Sequence, residues 1–104
     1  MNELGDKRKL FTRLFAKLIQ KMVDLEFQPM NGRDGQPHMQ NSLHYEGLAM
    51  DVDLCDSDGA YLDKTEYHKQ FGDYWKSLHP DCRWGGDFKK PDGNHYSVTY
   101  GGRS

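Results

Sequence analysis

Between Lys7 and Glu26 the chain places Leu10, Leu14, Leu18, Met22 and Leu25 at helical intervals, with Phe11, Phe15 and Ile19 beside them. A stripe that wide is one face of a helix, and it needs a partner surface to cover it. At 104 residues the chain is the size of one compact unit, too short to divide into two separately cored ones. The covering surface must therefore come from the rest of residues 1–104, read here as a single domain and a monomer.

That remainder mixes two periods. Ala49 to Leu54 alternates, with Met50, Val52 and Leu54 on one side and Ala49, Asp51 and Asp53 on the other, as in a half-buried strand. His95 to Tyr100 alternates again, setting His95, Ser97 and Thr99 against Tyr96, Val98 and Tyr100. Between them, Asp63 with Glu66 three residues later reads as a helix start. The helix it opens buries Tyr67, Phe71, Tyr74, Trp75 and Leu78 and ends at His79-Pro80. Pro29, Gly32, Gly35 and Pro37 make Phe27 to Asn41 a loop, and Asp56-Ser57-Asp58-Gly59 is a turn from which Tyr61-Leu62 begins a return strand. Pro91-Asp92-Gly93 is a tight turn, and Gly101 to Ser104 a loose tail. The resulting class is α+β, a small antiparallel sheet with flanking helices.

Composition removes several function classes. The net charge of −2 is spread along the chain, so nothing resembles the basic face of a nucleic-acid binder. Lys7, Arg8, Lys9, Arg13, Lys17 and Lys21 read as the solvated face of the first helix. Cys55 and Cys82 form no Cys-x-x-Cys pair, which argues against a thiolate zinc site. They read as idle thiols, with one disulfide as the alternative. A calcium loop around Gly59 fails because Leu54 and Thr65 fall where carboxylates are required. His38, His68 and His79 read as surface histidines, His68 on the exposed side of the second helix. No apolar signal core and no run near the roughly 20 apolar residues of a membrane span is present. The expectation is cytoplasmic synthesis, with any work outside the cell needing another release route.

The two strands carry a possible site. Asp51 and His95 each lie opposite the apolar side of their own strand, so neighbouring strands in one sheet would place them on a shared face. His44, separated from Asp51 by Gly47, can fold over that face from a loop. Two imidazoles and a carboxylate leave a fourth position open, as in a catalytic rather than a closed structural zinc site. Asp92, three residues before His95, can stand beside such a metal and take a proton from water there. Each half alone has a plainer reading, Asp92 being first of all a turn residue. The joint pattern carries the weight.

Ser42-x-His44-x-x-Gly47-x-Ala49-x-Asp51, followed by Trp84-Gly85-Gly86-Asp87-Phe88 and Asp92-x-x-His95-Tyr96, resembles the zinc peptidases that include D-alanyl-D-alanine carboxypeptidases and the L-alanyl-D-glutamate endopeptidases of phage endolysins. The resemblance covers residues 41–100. It implies the fold shared by those peptidases and hedgehog signalling domains, with Zn2+ held by His44, Asp51 and His95 and with Asp92 as catalytic base. It places Ser42 near the site and Trp84 near the cleft. The family's substrate-gripping arginine, followed by a glutamine, has its counterpart in Arg33 of Gly32-Arg33-Asp34-Gly35-Gln36, unusually close to His44. The implied activity is hydrolysis of an amide bond in peptidoglycan stem peptides, as an L-Ala-D-Glu endopeptidase or alternatively a D-Ala-D-Ala carboxypeptidase. Such a protein acts on the wall after phage-type release or from within a phage particle. The rival from another class is a zinc-containing binding module without activity.

Overall fold

A computed structural model describes residues 3–31 and 47–102. In chain order these form α1 (Glu3–Asp24), β1 (Gln28–Asn31), β2 (Ala49–Cys55), a 3-10 turn (Thr65–His68), α2 (Lys69–Leu78), β3 (Cys82–Trp84), a second 3-10 turn (Gly85–Asp87) and β4 (His95–Val98). The strands make an antiparallel sheet in the order β1-β2-β4-β3, and both helices pack on it. The fold is α+β, as the mixture of periods requires. No helix among the described residues is long and apolar enough to cross a membrane.

Helix α1 buries Phe11, Leu14, Leu18 and Met22. Leu25, expected on the same stripe, is 44% exposed, because the helix has already ended. The Phe27 N–H reaches back to Met22 O at 3.0 Å and the Glu26 N–H to Val23 O at 2.9 Å, with Glu26 in the left-handed region at φ 69°. This paired closure satisfies the last carbonyls and turns Phe27 inward, where its ring meets Phe71 edge-on at 5.2 Å.

The stretch read as loop from Phe27 begins instead with β1, which pairs Gln28 with Cys55 and Pro29 with Leu54. Pro29 is compatible with a strand because β1 lies at the sheet edge, where a missing N–H need not break a ladder on its outer side. The expected return strand at Tyr61-Leu62 reduces to a single bridge between Cys55 and Tyr61.

The second helix also differs at its start. No side chain caps it, and its first turn is 3-10. That tighter winding advances the inward position by one residue: Tyr67, expected in the core, is exposed, while His68, expected in solvent, is buried. Phe71 and Trp75 then point inward as predicted. Trp75 is fully buried, and its Nε1–H is shared between Arg83 O at 2.9 Å and Ser97 O at 3.0 Å. Those two residues are register partners in β3 and β4, so one indole from the helix holds both strands. Its ring also meets Phe11 of α1 and Tyr96 of β4 edge-on.

Candidate metal centre and adjoining cleft

The pairing of β2 with β4 sets Asp51 directly opposite His95. Residues paired across an antiparallel ladder share a face, so the register alone brings a carboxylate and an imidazole together. Asp51 Oδ1 lies 3.4 Å from His95 Nδ1. Alternation suggested that this face turns to solvent, but all four residues of β4 are buried and the Asp51 side chain is only 12% exposed. Both side chains are largely covered, so an ion held between them would be screened less than one at the surface.

Asp92 reaches the pair from the turn before β4, and its backbone is tied down on several sides. The Asp92 N–H donates to Gly85 O at 2.9 Å, and Asp92 O accepts from the His95 N–H at 3.1 Å. Trp84 Nε1–H donates to Gly93 O at 2.7 Å, the Gly93 N–H donates to Thr65 Oγ1 at 3.1 Å, and the Val52 N–H donates to Asn94 O at 2.8 Å. Gly85 must be glycine for this closure, since a Cβ there would stand 2.1 Å from Asp92 O and 2.8 Å from His95 Cβ. Trp84 is 4% exposed; it shapes the turn from within the core. The Phe88 ring lies against the His95 imidazole with centroids 5.3 Å apart.

One ligand atom from each of Asp51, Asp92 and His95 falls within 4.8 Å of the other two. For two ligands of a tetrahedral zinc ion bonded at about 2.0–2.1 Å, the expected separation is roughly 3.4 Å, which matches the 3.4 Å between Asp51 Oδ1 and His95 Nδ1. One imidazole nitrogen and carboxylate oxygens are also donors that zinc accepts. The residues present therefore fit the ion. His44, Ser42 and Arg33, expected at the same centre, lie outside the described residues. Gly47, just before β2, has φ 74°, a conformation that glycine adopts without strain.

Both cysteines are free thiols. Burial pushes Cys82 up to about 11, so it stays protonated and is a poor metal ligand at neutral pH.

Beside Asp92 opens a cleft of about 210 Å³, walled by Tyr61, Lys64, Thr65, His68, Asp92 and Asn94 among others. His68 is 3% exposed, and its Nδ1 is 2.9 Å from the Tyr96 hydroxyl. Sequence periodicity missed it; the spacing of three to Phe71 and seven to Trp75 was the available signal.

Burial lowers the His68 imidazole to about 4, against an upward pull from Asp53. An unfolded histidine titrates near 6.5. Between those values the unfolded chain binds a proton that the folded chain refuses, so this contribution to stability is complete above about pH 6.5 and declines as pH falls toward 4. From pH 7 to pH 4 the native protein should lose about 3 kcal/mol more than a His68→Asn variant, measured by urea unfolding. Equal losses would contradict a buried, uncharged imidazole.

Among solved structures, the chain is similar to the crystal structure of the Serratia marcescens L-Ala D-Glu endopeptidase ChiX. The TM-score is 0.60 at 20% identity, over 85% of this chain and 79% of that one. That likeness shows a shared fold. No family model matches the chain, and no curated protein matches it in sequence.

Proposed function

We propose that this protein is a zinc peptidase that hydrolyses an amide bond in peptidoglycan stem peptides, with L-Ala-D-Glu as the bond cut. The observation that carries the reading is the cross-strand pair of Asp51 and His95 with Asp92 held beside it. The shared fold with a protein described as an L-Ala D-Glu endopeptidase supports the choice of bond.

In this reading Asp51 and His95, with His44, hold the ion. Zinc bound there would supply a Lewis acid for the scissile carbonyl and lower the pKa of water in the site to about 7. Asp92, exposed on its turn, takes a proton from the attacking water as the new C–O bond forms. It returns that proton to the amine as the C–N bond breaks. Trp84 and Gly85 keep the Asp92 carboxylate at its station through the turn backbone. Arg33 supports the oxyanion or a substrate carboxylate, and Ser42 stands near the ligands.

The test is mass spectrometry of defined stem peptides after incubation with zinc-loaded protein. Fragments separated between L-Ala and D-Glu are expected, and a chelator should abolish them until zinc is restored. Release of terminal D-Ala alone would make the protein a carboxypeptidase. Zinc binding with every peptide left intact would make it a binding module.

A further inference from the structure

The tautomer of His68 follows from its one buried neighbour. Tyr96 is fully buried, and a phenol is a proton-bearing donor at neutral pH. A buried O–H needs an acceptor, and His68 Nδ1 at 2.9 Å is the partner present among the described residues. The hydroxyl therefore donates and Nδ1 accepts. A neutral imidazole that accepts at Nδ1 carries its hydrogen on Nε2. Nε2–H is then the polar edge His68 has left for the cleft that it lines.

The rest of the wall narrows the ligand. Thr65 Oγ1 already accepts the Gly93 N–H, so its hydroxyl hydrogen faces the same task as the His68 N–H, and both seek oxygen. Asp63 and Asp92 on the same cleft outnumber Lys64, so the wall gives an anion no net attraction. The chemistry suited to this wall is an uncharged carbonyl oxygen.

We infer that His68 is a substrate-binding residue, whose Nε2–H, oriented by Tyr96, donates to a backbone carbonyl oxygen of the peptide lying in the cleft beside Asp92. The identity of that peptide rests on the peptidase reading above; the donor and its direction do not. A donor held this way sets the peptide's register relative to Asp92, and so which amide faces the site.

The experiment has two arms. In long-range 1H–15N spectra of 15N-histidine-labelled, zinc-loaded protein at neutral pH, His68 should carry its proton on Nε2 with Nδ1 bare. Adding the tripeptide L-Ala-D-Glu-L-Lys to the Asp92→Asn variant should shift the Nε2 resonance. A proton on Nδ1, or no shift at saturating peptide, overturns the inference even if the wild-type protein cleaves nothing. In the second arm, His68→Asn keeps an oxygen to accept the Tyr96 hydroxyl and draws the remaining N–H donor back from the place of Nε2. Its KM for a cleaved stem peptide should rise about five- to tenfold with a much smaller change in kcat, and His68→Gln, whose amide nitrogen reaches toward the place of Nε2, should recover part of the loss. An unchanged KM in His68→Asn overturns the inference while leaving the peptidase reading intact. Failure of the wild-type protein to cut any peptide removes the peptidase reading and leaves the spectra to decide the donor.

Discussion

Asp92→Asn is expected to slow stem-peptide hydrolysis by about 10²–10⁴-fold, the usual contribution of a positioned general base, with one zinc still bound per chain. Asparagine suits the turn and keeps the backbone bonds that Asp92 makes to Gly85 and His95. What it lacks is a carboxylate able to accept and return a proton. The reaction rate is read from fragment masses and the zinc content from metal analysis of the same sample. Retained activity would sink Asp92 as base. Loss of zinc together with activity would move Asp92 into the ligand set, a role its position within 4.8 Å of the Asp51 and His95 ligand atoms also permits.

The largest effect on stability is expected at Trp75. Trp75→Ala should cost about 4 kcal/mol, within the range for emptying a large aromatic site in a packed core. The fully buried indole meets Phe11 and Tyr96 and donates to Arg83 O and Ser97 O. For a chain of this size, each kcal/mol corresponds to roughly 4–8 °C in Tm. Thermal unfolding should therefore move down by tens of degrees, and denaturant titration gives the free energy. A loss below about 1 kcal/mol would show that α2 does not hold β3 and β4 together. Because β4 carries His95, the variant should also bind zinc more weakly at temperatures where it remains folded.

These expectations draw unequally on sequence and structure. The helical stripe of α1, the inward Val52 and Leu54 of β2 and the inward Phe71 and Trp75 were all legible, because each repeats a local period over several residues. At the start of β2, Ala49, expected on the outer side, is buried and Met50 only partly so. The edge strand β1 was not, since Pro29 and the short span gave a loop signal that only pairing with β2 overrides. His68 and Tyr67 exchanged their expected environments because a 3-10 turn has a different period from the helix it leads into. Thr65 carried no motif at all; it matters because it accepts the Gly93 N–H from 28 positions away in the chain.

For the site itself, the sequence by itself determined the candidate donors: a carboxylate on one alternating segment, an imidazole on another, an acidic turn three residues before that imidazole, and His44, which lies outside the described residues. Their chemistry needs no fold to be recognised, because side-chain donor type is a local property. Only the tertiary structure decided that Asp51 and His95 are register partners, 3.4 Å apart at nitrogen and oxygen, that their shared face is covered, and that His68 opens onto the cleft beside Asp92. Register and burial are set by the packing of distant segments, and a one-residue slip of β2 against β4 would have sent Asp51 and His95 to opposite faces.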